Sequence, residues 1–131
     1  MEDFVTFEIA KKLKEKGFKN NCIGYYDYAG EFHYNYKSAI SNKEIYFCHN
    51  KYDNIWHRDL VDAPTISQVL KWLRKEKNLH IAINIWGRTW GYDIIELTGG
   101  NSLHWTAYRE DIKSYEDAAL DGIEYVLDNL I

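Results

Sequence analysis

Residues 63–86, APTISQVLKWLRKEKNLHIAINIW, read as a helix, a short turn and a strand. Pro64 fixes the entry, Thr65 is placed to act as N-cap, and Gln68 stands three positions on, the spacing of a capping box. Ile66, Val69, Leu70 and Leu73 then recur at helical spacing, with Trp72 at the margin of the stripe. After Asn78 the period shortens to two: Ile81, Ile83 and Ile85 alternate with Ala82 and Asn84, as a half-buried strand requires. A helix leading into a strand of this kind predicts an α+β core.

Working outward toward the C-terminus, residues 87–89 make a turn and WGYDIIEL returns as the second strand of a hairpin. Residues 98–101 mark another turn, LHWTAY gives a third strand, and Ser114 with Asp117 opens a long final helix. Tyr115, Ala119, Gly122, Ile123, Val126, Leu127 and Leu130 fall on one face of that helix.

Toward the N-terminus, Thr6 to Lys16 predicts a first helix with Ile9, Ala10 and Leu13 inward, closed by Gly17 and by Phe18 folding back on Leu13. CIGYYD and EFHYNY follow as strands joined by a turn at residues 28–30, and EIYFCH is expected to complete a meander. Residues 51–62 show neither period and are expected to be an irregular connection. The expected order is helix, meander, helix, meander, helix, with a mainly antiparallel sheet packed on helices. With no linker or low-complexity tract, residues 1–131 are taken as one compact domain.

Composition narrows the function classes. A chain of 131 residues, 46% hydrophobic, can build a core without metals or disulfides. Its net charge of −4 argues against a general binder of nucleic acid or anionic membrane. No apolar run has the length of a membrane span and the N-terminus lacks a secretory signal, so a cytoplasmic protein with no membrane partner is expected. Cys22 and Cys48 are then expected as reduced, buried thiols. Seven acids against one base lie in residues 110–128, while the central helix is basic, and a helix–meander–helix order sets two such helices side by side. The same order invites comparison with double-stranded RNA-binding domains. Their second helix meets phosphate with cations, and neither TISQ nor SYEDAALDGIEY supplies any, so that module is rejected.

Motifs for catalysis are absent. There is no G-x-S-x-G elbow, P-loop or G-x-G-x-x-G. Cys48, His49, Asp53, His57 and Asp59 crowd one stretch but lack paired zinc-ligand spacing, and His33, His80 and His104 stand singly in or beside strands. A cysteine meeting a histidine in space would leave a thiol or metal enzyme as one alternative. Aromatics are concentrated instead: ten of the twenty-one lie between Tyr25 and Trp56. Strand propensity and core filling account for many of these, and an exposed remainder would suit a protein interface or stacked single-stranded bases.

APTISQVLKWLR followed by HIAINI, with the ending SYEDAALDGIEYVLDNLI, resembles small uncharacterised proteins of prophages and mobile elements in gut anaerobic bacteria. The opening VTFEIAKKLKEKGF is similar to the first helix of those chains, and the likeness weakens over residues 37–62. The second half is also similar to phage α/β/α sandwich domains. Neither resemblance implies a catalytic motif. Both imply a phage or mobile-element accessory protein.

The expected function is therefore protein–protein contact without enzymatic activity, with no cofactor and no metal. Tyr26, Tyr28, Tyr34, Tyr36, Tyr46, Trp56, Trp86 and Trp90 are the candidate surface, and a homodimer is one form it could take. A single-stranded nucleic-acid binder using the first meander beside Lys37, Lys43 and Lys51 is the alternative from another class.

Overall fold

The computed structural model describes residues 3–35 and 44–131, and shows an α+β protein. The chain divides into two compact units, Met1–Thr65 and Ile66–Ile131.

In the first unit, helix α1 (Phe7–Glu15) begins where Thr6 accepts a hydrogen bond from the Ile9 N–H at 3.3 Å. It ends at Gly17, whose φ of 87° lets the Phe18 N–H reach back to the Leu13 carbonyl at 3.0 Å. Ile9, Ala10, Leu13 and Phe18 are buried, as their spacing predicts. Strands β1 (Gly24–Tyr26) and β2 (Phe32–Tyr34) form the expected hairpin. Asp27 holds its turn by accepting from the Ala29 and Glu31 N–H groups.

The third strand departs from expectation. EIYFCH is no strand: Phe47 makes an isolated bridge with Cys22, and residues 49–51 form a short 3₁₀ turn. Strand β3 comes instead from Val61–Ala63, overlapping the end of the stretch expected to be irregular, and pairs antiparallel with β1 in the order β2-β1-β3. The cause is Asp62. Its fully buried carboxylate accepts from the backbone N–H groups of His49 and Asn50 at 3.0 and 2.9 Å, while Asn50 accepts from the Asp62 N–H. That reciprocal lock places the 3₁₀ turn beside β3, leaving the β1 edge to β3.

In the second unit, α2 (Ile66–Glu76) buries Ile66, Val69, Leu70, Trp72 and Leu73. Trp72 is thus within the buried face rather than at its margin. Asn78, at φ 59°, turns the chain into β4 (Leu79–Trp86). β5 (Thr89–Glu96) returns through the two-residue turn Gly87–Arg88, with Gly87 at φ 65° in the first central position and Arg88 outside the positive-φ set, the type II′ arrangement. β6 (Ser102–Trp105) completes an antiparallel sheet of order β4-β5-β6, with Leu103 as the extra residue opposite the Ile94/Ile95 register shift. Helix α3 (Tyr115–Asn129) is capped by Ser114, which accepts from the Asp117 N–H at 3.0 Å. Both helices pack on one face of the sheet, and α2 lies against α3. Gly122 permits the closest approach: a Cβ there would stand 3.0 Å from Ile81 and 3.3 Å from Tyr92.

Candidate interaction surface

The registers of the first sheet decide what its many aromatics do. Tyr26, Phe32 and Tyr34 share one face, and there Phe4 lies 4.6 Å from the Phe32 ring and Phe7 lies 5.5 Å from the Tyr26 ring. The Tyr26 hydroxyl donates to the Val5 carbonyl. Tyr26 is therefore a packing residue, half-buried. Tyr34 stays 55% exposed, and Tyr28, Tyr46 and Trp56 are exposed at 83, 56 and 81%. Tyr36, Lys37 and Lys43 lie outside the described residues.

On the opposite face, Tyr25 is set between the rings of His33 and His49, at 5.3 and 4.6 Å. His49 Nε2 meets Asn35 Oδ1 at 2.8 Å and its Nδ1 meets His57 Nδ1 at 3.0 Å. With Nε2–H donating to the Asn35 oxygen, Nδ1 of His49 is the acceptor and His57 donates to it. Burial holds the His49 imidazole below its ordinary pKa, which keeps it in this neutral form; nearby Asp62 works against that, and His57 and Lys14 reinforce it. This polar core of the unit was not legible in the sequence. Five dispersed residues make it, with no local spacing to reveal them.

Neither cysteine is an activated nucleophile. Cys22 and Cys48 are free, buried thiols. Burial, then Asp62, then Cys48 push Cys22 far up, and burial followed by Asp62 takes Cys48 up to about 11. Of the five residues weighed as zinc ligands, Cys48 and His49 are buried, His57 is half-buried, and Asp53 and Asp59 are exposed. Among the described residues, a set of three ligand atoms within 4.8 Å of one another occurs only at Asp27, Glu31 and His33. There the His33 Nε2–Asp27 Oδ2 hydrogen bond of 2.7 Å and the two turn N–H groups already occupy Asp27. The His33 bond, first among these causes, holds the Asp27 carboxyl below the usual carboxylate range.

The second sheet presents aromatics differently. Its inner face carries Ile81, Tyr92 and Ile94, and Trp90 belongs to the same side, edge-on to Tyr115 of α3. Trp90 is accordingly half-buried. The outer face carries Trp86 and Trp105, the latter opposite Asp93 and 62% exposed. Trp86 runs over Gly91, and its ring centroid is 6.3 Å from that of Tyr108, itself 73% exposed. Tyr108 stands at φ 59°, costly for a bulky residue. Next to it, Arg109 is fastened by Asp111 and by Asp121, the latter at 2.8 Å and shared with the Tyr92 hydroxyl at 2.7 Å. The segment after β6 is thus anchored to α3 and β5 while its tyrosine projects outward. Trp105 and Tyr108 are the surface residues that sequence reasoning missed; the outward parity of β6 and the alternation of Trp86 held the signal.

No helix among the described residues is long and apolar enough to cross a membrane. Comparison with protein-family models, curated proteins and solved structures found no match.

Proposed function

We propose that this protein is a non-enzymatic accessory protein that works through protein contacts, with the outer sheet face of the second unit as its working surface. The observation that carries this reading is the grouping of Trp86, Trp105 and Tyr108 on one uncovered side of a sheet whose other side is filled by two helices. Rigid aromatic side chains with apolar bodies and polar tips are where interfaces concentrate binding energy. The raised pKa of both thiols and the absence of a catalytic motif support a binding role over catalysis. A net charge of −4 favours a protein partner over single-stranded nucleic acid. The resemblance to mobile-element proteins supports an accessory role in such a context.

The test is a Trp105→Ala/Tyr108→Ala double variant compared with Trp56→Ala, an exposed tryptophan of the first unit. A purified protein partner should bind the wild type and Trp56→Ala in a defined ratio and lose at least tenfold in affinity for the double variant. Equal affinity of all three forms defeats the proposal. Salt-dependent quenching by a single-stranded oligonucleotide that the double variant abolishes would replace it with the nucleic-acid reading.

A further inference from the structure

β4 is an edge strand without the usual protections. It lies at the end of the β4-β5-β6 order and pairs with β5 in unbroken register over all eight residues, Leu79–Glu96 through Trp86–Thr89. Its sequence, LHIAINIW, contains no Lys, Arg, Asp, Glu or Pro, and the sheet's one register shift lies between β5 and β6. Native edges are normally blunted by such residues or by bulges, because a row of unpaired N–H and C=O groups recruits another strand.

The direction of those groups follows from the main-chain bonds at the strand ends. The Leu97 N–H donates to the Asn78 carbonyl, so even-numbered residues of β4 bond to β5; on the far side, Tyr92 bonds toward Thr106, and Tyr92 is opposite Ile83. Main-chain bonds alternate along an antiparallel strand, so Leu79, Ile81, Ile83 and Ile85 direct their N–H and C=O groups to the free edge. None of these four makes a further main-chain hydrogen bond among the described residues.

We propose that this edge pairs with β4 of a second copy of the chain, antiparallel about a two-fold axis at Ala82. The proposal specifies one form of the protein-contact reading and uses a different surface of the unit. Strand polarity and face parity fix the register. For inner-face side chains to remain on the inner face, the two residue numbers of each pair must sum to an even number, and a sum of 164 engages all four outward residues: Leu79 with Ile85, and Ile81 with Ile83, in both directions. That gives eight main-chain hydrogen bonds and a continuous six-stranded sheet. The apolar inner row then continues across the axis, so that the partner's Leu79 covers Ile85, which is 61% exposed in one chain. On the outer row Ala82 meets its own copy and His80 meets Asn84, with no charge opposed to a like charge. A charged heterologous strand would find no counter-charge on this edge, which is the argument for a second copy as occupant.

Sedimentation equilibrium of the full chain, with amide hydrogen exchange at high and low concentration, tests it. The expected result is a dimer in which the Leu79, Ile81, Ile83 and Ile85 amides are protected when concentrated and exchange at least tenfold faster on dilution, while the Ala82 and Asn84 amides are protected in both. Ala82→Lys, which opposes two ammonium groups at the axis, should yield a folded monomer that still binds any partner of the Trp105/Tyr108 face. A chain that is monomeric up to its solubility limit overturns the proposal, as does a dimer whose four odd-numbered amides exchange freely. Either result leaves the aromatic-face reading standing. Loss of partner binding by the Trp105→Ala/Tyr108→Ala variant in an intact dimer would separate the two surfaces in the other direction.

Discussion

Trp86 lies over Gly91, five residues away around the β4–β5 turn. A Cβ at position 91 would be 2.8 Å from the indole Cδ1 and would overlap the Thr106 carbonyl oxygen. The glycine therefore sets both the lie of the indole and the approach of the chain after β6. Gly91→Ala is expected to destabilise by about 1–3 kcal/mol through overpacking and to move the Trp86 fluorescence. Thermal unfolding and emission spectra check this, and an unchanged melting temperature would contradict the close approach.

Tyr108 bears on the same surface. An L-residue in the left-handed region costs roughly 1–2 kcal/mol, which glycine avoids. Tyr108→Gly is thus expected to be as stable as the parent or more so by about 1 kcal/mol, despite losing its ring contact with Trp86. Denaturant titration decides it, and a loss above about 1 kcal/mol would show that the ring is needed for folding.

Asp62 should be among the least replaceable polar residues. Asp62→Ala leaves the His49 and Asn50 N–H groups buried without their acceptor, at a cost of about 2–4 kcal/mol. A smaller effect, with the 3₁₀ turn intact by NMR, would mean that β3 holds its place without this lock.

His49 makes stability depend on pH. Its folded pKa lies below the ordinary 6.5, so the unfolded chain binds the proton more readily. Stability is fully present above pH 6.5 and is lost as pH falls from there toward the folded value. Protonation also puts a hydrogen on the His49 Nδ1 that accepts from His57. Urea midpoints should drop between pH 7.5 and 5, with a smaller drop for His49→Gln. Loss of the Asp27–His33 interaction belongs to a lower window: the depressed Asp27 pKa contributes stability above the unfolded carboxylate value and loses it as pH falls through the folded one. Equal slopes for parent and His49→Gln would exclude His49 as the source.

The thiols give a direct check on chemistry. With Cys48 at about 11 and Cys22 higher, a thiol reagent at neutral pH should react with neither until the chain is denatured. Rapid modification of one cysteine in the folded protein would reopen the thiol-enzyme reading.

The helices and the long hairpin were legible in sequence because each depends on local rules. Thr6, Gly17 and Ser114 act within a few residues of themselves, and the isoleucines of β4 alternate with the pleat. The third strand of the first sheet was not legible. Val61–Ala63 is too short to show a period, and its place beside β1 comes from a buried carboxylate meeting backbone twelve and thirteen residues away. Composition likewise revealed an aromatic surplus without separating Tyr26, which packs, from Tyr28, which is exposed.

What the sequence by itself determined was the α+β class, the identity of the helices with the caps of α1 and α3, and the alternation that makes β4 an apolar strand. Only the tertiary structure decided which aromatics face outward, that Trp105 and Tyr108 join Trp86, and that β4 is an edge. Periodicity is set by the geometry of one element, whereas exposure and strand order depend on which distant elements cover it.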